Sequence, residues 1–147
     1  FLLEKLNSNV ESAQIDSLDT YSECAKQLIY DPNDYKEYID SLWSSFQSIA
    51  MNATKSALED SAQNAIIAMS YSLSCCIQRD NVSIDWFVKK TCDSCLAYLN
   101  EPDLKLVWPN VKCLQSVASS TSTANLLIMN NVLPVIIEHY NTTTFVR

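Results

Sequence analysis

The sequence predicts an all-α fold, a single compact bundle of about five to seven helices cross-linked by disulfides. The first observation is that the 147 residues include no glycine. Tight β-turns and bulges usually require glycine, whereas helices can be joined without it. The second is that apolar residues recur at helical spacing along most of the chain. The third is an even number of cysteines, six, which could join the helices to one another.

In the first part of the chain the pattern of apolar residues predicts one long helix, which follows a shorter apolar segment. Apolar residues at helical spacing over residues 15–29 predict a helix that ends before Pro32, because the residue preceding proline avoids the α conformation. Apolar residues over 2–10 predict either a shorter helix or the start of the same one.

The next apolar stripe is too long for one helix. Asp34 followed by Glu37 resembles a capping box, so we expect a helix to begin there. The stripe then continues without proline to Ile77. One unbroken helix of about 45 residues would measure roughly 68 Å, which is longer than a domain of this size. We therefore predict a break near residues 52–55 and a second helix that ends near Arg79.

Three further segments are predicted before the last helix. Residues 80–81 indicate a turn, and Ser83 is a candidate N-cap for a helix that ends at Asn100. Residues 104–108 alternate weakly between apolar and polar, which predicts a short extended segment. Pro109 suits the first turn of another helix.

The C-terminal part predicts a polar connection over residues 119–123 and a last helix over residues 124–140. This helix is expected to kink or restart at Pro134. The whole chain, residues 1–147, is predicted to form one domain, with about 141–147 as a frayed tail.

Cysteines and glycosylation sequons together predict a secreted, extracellular protein. The candidate disulfide residues are Cys24, Cys75, Cys76, Cys92, Cys95 and Cys113. The candidate glycosylation residues are Asn52, Asn81 and Asn141, each in an Asn-X-Ser/Thr sequon. The adjacent Cys75 and Cys76 are expected to bridge to different neighbours, and the pairing otherwise stays open.

The sequence offers no convincing catalytic or metal site. Cys92 and Cys95 have the spacing of a redox dithiol but fall within a predicted helix, so we interpret them as a structural staple. Zinc binding by Cys75, Cys76, Cys92 and Cys95 is the less favoured alternative. The single histidine, His139, has no nucleophile motif near it. We therefore predict a protein that is not an enzyme and has no cofactor and no metal.

Charge and hydropathy exclude two classes of partner. The net charge is −7 and no basic cluster is present, which argues against nucleic acid as a binding partner. The most apolar stretch, residues 126–137, is too short and too polar to span a membrane.

The predicted function is that of a secreted, non-enzymatic binding protein that engages another extracellular protein, such as an immune modulator, effector or receptor ligand. The alternative is a carrier in which aromatic side chains line a cavity for a small hydrophobic ligand. The aromatic residues on the predicted stripes are Trp43, Phe46, Trp86 and Phe87. Packing of these side chains in the core is the simpler interpretation. Neither the ligand-binding residues nor the oligomeric state can be assigned from the sequence.

Overall fold

The structure, a computed structural model, describes residues 1–25, 27, 35–76, 83–99 and 101–145, with side chains except those of residues 76, 83 and 143–145. Within these residues it contains seven α-helices and no β-strand, which confirms the predicted all-α class. The helices are α1 (Leu2–Leu6), α2 (Glu11–Ala25), α3 (Tyr35–Asn52), α4 (Ser56–Cys76), α5 (Ser83–Leu96), α6 (Leu104–Ser120) and α7 (Ser122–Phe145).

The backbone connects these helices without any left-handed residue. No described residue has a positive φ angle, in keeping with the absence of glycine. A single residue, Thr121, separates α6 from α7, and its backbone is extended, with φ −149° and ψ 161°. The Thr121 Oγ1 accepts a hydrogen bond from the backbone N–H of Ala124 at 3.1 Å. One ordinary residue therefore both ends α6 and caps α7.

The short N-terminal segment forms a helix of its own. A turn separates α1 from α2, and Gln14 Nε2 donates a hydrogen bond across it to the Leu6 carbonyl at 3.2 Å. α2 begins at Glu11, earlier than the predicted stripe at Ile15. Its predicted end before Pro32 lies outside the described residues.

The predicted break near residues 52–55 is confirmed. α3 ends at Asn52 and α4 begins at Ser56. The predicted Asp34 cap of α3, the predicted end of the second helix near Arg79 and the turn at residues 80–81 all lie outside the described residues. α5 begins at Ser83, the residue predicted to be its N-cap, and ends at Leu96, before the predicted end at Asn100.

The extended segment predicted over residues 104–108 is wrong, because these residues form the first part of α6. Asp103 is the N-cap, and its carboxylate accepts a hydrogen bond from the backbone N–H of Lys105 at 2.9 Å. This cap satisfies one of the donors that every helix start leaves free. Pro109 consequently lies inside α6 rather than in its first turn.

α7 runs without interruption through Pro134, so the predicted restart there is wrong. The predicted polar connection over residues 119–123 is also shorter than expected, since α6 and α7 occupy all of it except Thr121. Residues 141–145, predicted as part of a frayed tail, belong to α7.

The helices pack in two rows. In one row α2 packs against α4, and α4 packs against α6. In the other row α1 contacts α3, the Trp43 ring of α3 meets the Phe87 ring of α5 at 5.8 Å, and α5 packs against α7. Helices two apart in sequence are thus neighbours within a row, as in stacked helical repeats.

The core lies between the two rows. α3 packs against both α4 and α6, which belong to the other row, so the two rows are in contact through α3. The largest fully buried side chains are Trp43, Phe46, Phe87, Leu6, Leu18, Ile39, Leu42, Ile66, Met69, Leu73, Ile84 and Val88. Every helix from α1 to α5 contributes to this set, whereas α7 contributes only Ala124 and Ile128 to the buried apolar core.

Candidate interaction surface on the last helix

The described residues contain no cluster of three or more His, Cys, Asp or Glu side chains that could hold a metal ion. The single histidine, His139, lies on the exposed surface of α7. Charged side chains are instead used between helices, where Lys90 pairs with Asp40 across α5 and α3 and Lys112 pairs with Glu59 across α6 and α4. These charged groups tie helices together and do not converge on a cleft.

No disulfide joins the cysteines whose side chains the structure describes, so the predicted cross-linking of the helices is not supported. Cys24 and Cys75 are exposed near the ends of α2 and α4. Cys92, Cys95 and Cys113 are buried within the core where α5 and α6 meet. Buried cysteine behaves as a small apolar residue, and this is the role of these three side chains in the core.

The pKa values of the Cys92 and Cys95 thiols are raised, which favours their protonated form. Burial, followed by the charge of Asp93, raises the pKa of the Cys92 thiol to about 11. A hydrogen bond with Cys113, followed by burial, raises the pKa of the Cys95 thiol as well. Because the thiolate is the nucleophile and the metal ligand, these cysteines are poorly suited to either chemistry.

A partly buried polar network links α3, α5 and α6. Gln47 Nε2 donates to Asn110 Oδ1 at 2.8 Å, and Gln47 Oε1 accepts from Ser94 Oγ at 2.7 Å. The Trp43 indole N–H donates to the same Ser94 hydroxyl at 3.4 Å. The network fixes how the three helices lie relative to one another, and its members are uncharged.

The sequon residues occupy different environments. Asn52 is exposed at the last position of α3, where its Nδ2 donates to the Ser48 carbonyl at 2.9 Å. Asn141 is exposed on α7, and Asn81 lies outside the described residues.

The aromatic side chains fill the core rather than line a cavity. Trp43, Phe46 and Phe87 are fully or almost fully buried, and Trp86 is half-buried. A pocket of about 260 Å³ lies near the start of α4, but most of its lining residues carry amides and hydroxyls. The interpretation as a carrier of a hydrophobic ligand therefore loses its structural basis.

α7 carries the most apolar exposed surface among the described helices. Six of its seven exposed large apolar side chains lie along one side of the helix, and we call them the outer face of α7. They are Leu126, Met129, Leu133, Ile136, Ile137 and Tyr140, each at least 43% exposed. The seventh, Val135, is 37% exposed and lies on the opposite side. Singly exposed apolar residues are normal on proteins, but six along one side of one helix form a continuous patch.

This outer face lies opposite the side of α7 that joins the core. Ala124 and Ile128 are buried, and Leu127 and Val132 pack against the core. At 3.6 residues per turn, these core positions fall on the side of the helix away from the outer face. α7 is thus apolar on two opposite sides, a pattern typical of helices that are covered on both sides.

The outer sides of neighbouring helices in the same row are polar by comparison. The exposed residues along the middle of α3 and α5 are Ser41, Ser44, Ser48, Asp85, Lys89 and Asp93. α7 contains no Lys, Arg or Asp, and its single acidic residue is Glu138. The contrast identifies α7 as the surface best suited to bind another apolar helix.

The sequence contained a signal for this surface that the helix prediction did not use. Five residues of the outer face follow one another at steps of three, four, three and four, namely 126, 129, 133, 136 and 140. This is the spacing of a helix–helix seam. None of the described helices is both long enough and apolar enough to cross a membrane.

The chain is similar in sequence to proteins named for nucleotide excision repair. It is 37% identical over 142 residues to the MMS19 nucleotide excision repair protein homolog of Xenopus tropicalis. It is 32% identical over 142 residues to the protein of the same name from Homo sapiens, and 31% identical over 146 residues to that from Danio rerio. Residues 1–52 also match the profile of a family described as Dos2-interacting transcription regulator of RNA-Pol-II.

The similarity covers nearly all of this chain but a small part of each relative. The alignments include 95% of the chain for the Xenopus and human proteins and 97% for the Danio protein. In each case the chain spans 14% of the relative's length.

These comparisons correct the predicted location and partners. The prediction of a secreted, extracellular glycoprotein that engages an extracellular protein is wrong, because the relatives are named for nucleotide excision repair, which acts on DNA inside the cell. The predicted alternative, a carrier of a hydrophobic ligand, is overturned by the same finding. Cysteines and sequons were misleading because three of the cysteines are core residues and sequons arise by chance in a chain rich in Asn, Ser and Thr.

Proposed function

We propose that this chain is one section of a larger protein of the MMS19 family and that it serves as a helical scaffold in nucleotide excision repair. The observation that carries the proposal is the identity of 31–37% over 95–97% of the chain to proteins of that name. The chain's contribution is then to hold other parts of the protein, or partner proteins, in a fixed arrangement.

The physical character of the chain supports a scaffold rather than an enzyme. Two rows of helices, tied by ion pairs and a partly buried polar network, form one packed unit with long exposed helix sides. The pKa values of the Cys92 and Cys95 thiols are raised, which disfavours the reactive thiolate, and the described residues offer no metal cluster. In this proposal the cysteines stay reduced, as is usual inside the cell.

Proteins, rather than DNA, are the proposed direct partners. The net charge of −7 would repel the phosphate backbone, and DNA-binding surfaces are generally basic. An uncharged apolar surface such as the outer face of α7 is instead suited to a protein neighbour.

A segment exchange in human cells tests the proposal. This chain would replace the matching segment of the human relative in cells that lack that relative, and removal of ultraviolet lesions from DNA would be measured over time. We expect the exchange to restore removal. The matched control is the same exchange carrying Ile66→Asp, which we expect to fail because an unpaired charge would be buried in the core.

The proposal would be contradicted by an exchanged protein that accumulates to the normal level while lesions persist as they do in cells without the relative. Microscopy of the same cells would show whether the exchanged protein enters the nucleus, which the proposal also requires.

A role in transcription is a second candidate, favoured by the family profile over residues 1–52. The same cells would distinguish the two roles. Restored synthesis of nascent RNA by RNA polymerase II, without restored lesion removal, would favour transcription.

A further inference from the structure

The pocket beside the turn between α1 and α2 has an apolar base and a polar rim. Its volume is about 260 Å³, below the roughly 300–1,000 Å³ of typical small-molecule sites, so it has room for one long side chain. Its buried lining residues are Leu6, Ile49 and Leu58, each at most 8% exposed. The other described lining residues carry amides or hydroxyls and lie closer to solvent. A bound side chain would therefore need an apolar stem and a polar tip.

Two amide side chains of the rim are held in a fixed orientation. Gln14 Nε2 donates to the Leu6 carbonyl at 3.2 Å, and Asn52 Nδ2 donates to the Ser48 carbonyl at 2.9 Å. A carbonyl oxygen can only accept, so in each amide the nitrogen faces it and the amide oxygen points elsewhere. Gln14 Oε1 and Asn52 Oδ1 receive no hydrogen bond from the residues that the structure describes. The rim therefore offers two oriented acceptors that the fold does not use.

The charge around the pocket favours a cation as its occupant. None of the described residues that line it is charged. Lys55, in the connection between α3 and α4, pairs with Glu11 of α2 at 3.2 Å, so its charge is already compensated. The chain as a whole has a net charge of −7, which attracts cations. The tip of a bound side chain is therefore expected to be positive.

An arginine side chain meets these requirements best. Lysine and arginine both have an apolar stem and a head that only donates hydrogen bonds. The guanidinium is less strongly hydrated than the ammonium and presents five N–H groups in one plane, so it loses less when it leaves water for uncharged acceptors. Free arginine fits less well, because its carboxylate would meet no cation among the described lining residues. An arginine within a peptide chain has no such carboxylate.

We propose that this pocket binds an arginine side chain of a separate protein, which docks on the turn between α1 and α2 and on the end of α3. The stem packs against Leu6 and Leu58, and the guanidinium donates to Gln14 Oε1 and Asn52 Oδ1. A second copy of this chain is a poor source of the side chain, because like net charges repel and the sequence contains only two arginines, Arg79 and Arg147.

Ligand-observed NMR with the full-length protein tests the proposal. The probe is the capped peptide acetyl-Ala-Ala-Arg-Ala-Ala-amide, and saturation transfer measures its affinity. Matched peptides carry lysine, or citrulline, which has nearly the shape of arginine but no charge. We expect the citrulline peptide to bind about tenfold more weakly, because hydrogen bonds from charged donors are stronger. The lysine peptide should bind several-fold more weakly.

Three outcomes of this titration would overturn the proposal. They are equal affinities for the arginine and citrulline peptides, tighter binding of the lysine peptide, and no saturable binding at millimolar concentrations.

Variants of Asn52 place the binding in this pocket. Asn52→Ala removes an acceptor and should weaken binding of the arginine peptide several-fold. Asn52→Asp retains the oxygens, adds a negative charge and should strengthen binding several-fold. The control, Asn130→Asp, adds the same charge at an exposed position of α7, whose described residues do not pack against α1, α2 or α3. Equal effects of the two Asp variants would mean that net charge alone attracts the peptide, and would contradict the proposal.

Sedimentation of the full-length protein distinguishes a separate protein from a second copy. We expect the sedimentation behaviour to be the same for the original protein and for Asn52→Ala. Self-association that Asn52→Ala abolishes would mean that a second copy fills the pocket, and would overturn the proposal. Because none of these experiments measures DNA repair, the pocket and the proposed function can fail independently.

Discussion

Gln47 shows how single side chains determine the arrangement of distant helices. It lies on α3, yet its amide group is shared between Ser94 on α5 and Asn110 on α6. Each of these contacts spans more than 40 positions of sequence, so no local pattern could have revealed them. The sequence did indicate that the aromatic residues of α3 and α5 lie on apolar stripes, because helical spacing is a local property.

Replacing Gln47 should destabilise the fold more than its partial exposure suggests. Gln47→Ala would leave Asn110 Oδ1, in a residue 2% exposed, without its partner. We expect the free energy of unfolding to fall by about 1–3 kcal/mol, the usual cost of an unsatisfied buried polar group. Urea denaturation would measure the change. Ser44→Ala, an exposed change on the same helix, is the control, and equal losses in both variants would refute the prediction.

The raised pKa of Cys92 predicts how stability responds to alkaline pH. Below about pH 9 this thiol is protonated in both states, and between about pH 9 and about pH 11 only the unfolded chain releases the proton. The unfolded state then binds fewer protons, so stability falls as pH rises through this window. In denaturation measured across that range, the slope should be shallower for Cys92→Ala than for the original chain. Parallel slopes would rule out the buried thiol as the cause.

At the scale of the element, helix interiors were predictable and helix ends were only partly so. The break between α3 and α4 followed from length alone, because one helix would have been too long for the domain. The start of α6 was missed because residues 104–108 are too few to distinguish strand alternation from helical spacing. Asp103 was the overlooked signal, since Asp is a favoured N-cap residue.

The Asp103 cap should contribute measurably to the stability of α6. Asp103→Ala removes the acceptor for the Lys105 N–H, and the expected loss is about 1 kcal/mol. The matched control is Glu101→Ala, which removes a nearby exposed carboxylate that does not cap the helix. Thermal denaturation of both variants provides the measurement. If Glu101→Ala lowered the stability as much as Asp103→Ala, the loss would come from the change in net charge and not from the missing cap.

At the scale of the whole molecule, composition predicted the fold class but misled about location. The absence of glycine and the helical spacing of apolar residues reflect what the backbone and the core of this chain require. Both features therefore predicted its fold. Secretion was inferred from cysteines and sequons, whose significance depends on the cellular environment and not on the fold. Cys92, Cys95 and Cys113 are explained by burial alone.

Ile66 tests whether the two rows depend on one shared core. It is fully buried on α4, which contacts α2, α3 and α6. Ile66→Ala should lower the free energy of unfolding of the whole domain by about 2–5 kcal/mol through the cavity it leaves. Ile67→Ala, a change of the same size at the adjacent, half-buried position, should cost less. The prediction requires that hydrogen exchange rise in both rows of the Ile66→Ala protein; an increase in one row alone would contradict it.

The connection at Thr121 has a mechanical consequence. Its hydroxyl contacts Ser74 of α4 at 3.1 Å while also capping α7, so three helices meet at one side chain. Because only Thr121 separates α6 from α7 and its hydroxyl also reaches Ser74, a displacement of α7 relative to α6 would disturb the contact with α4 as well.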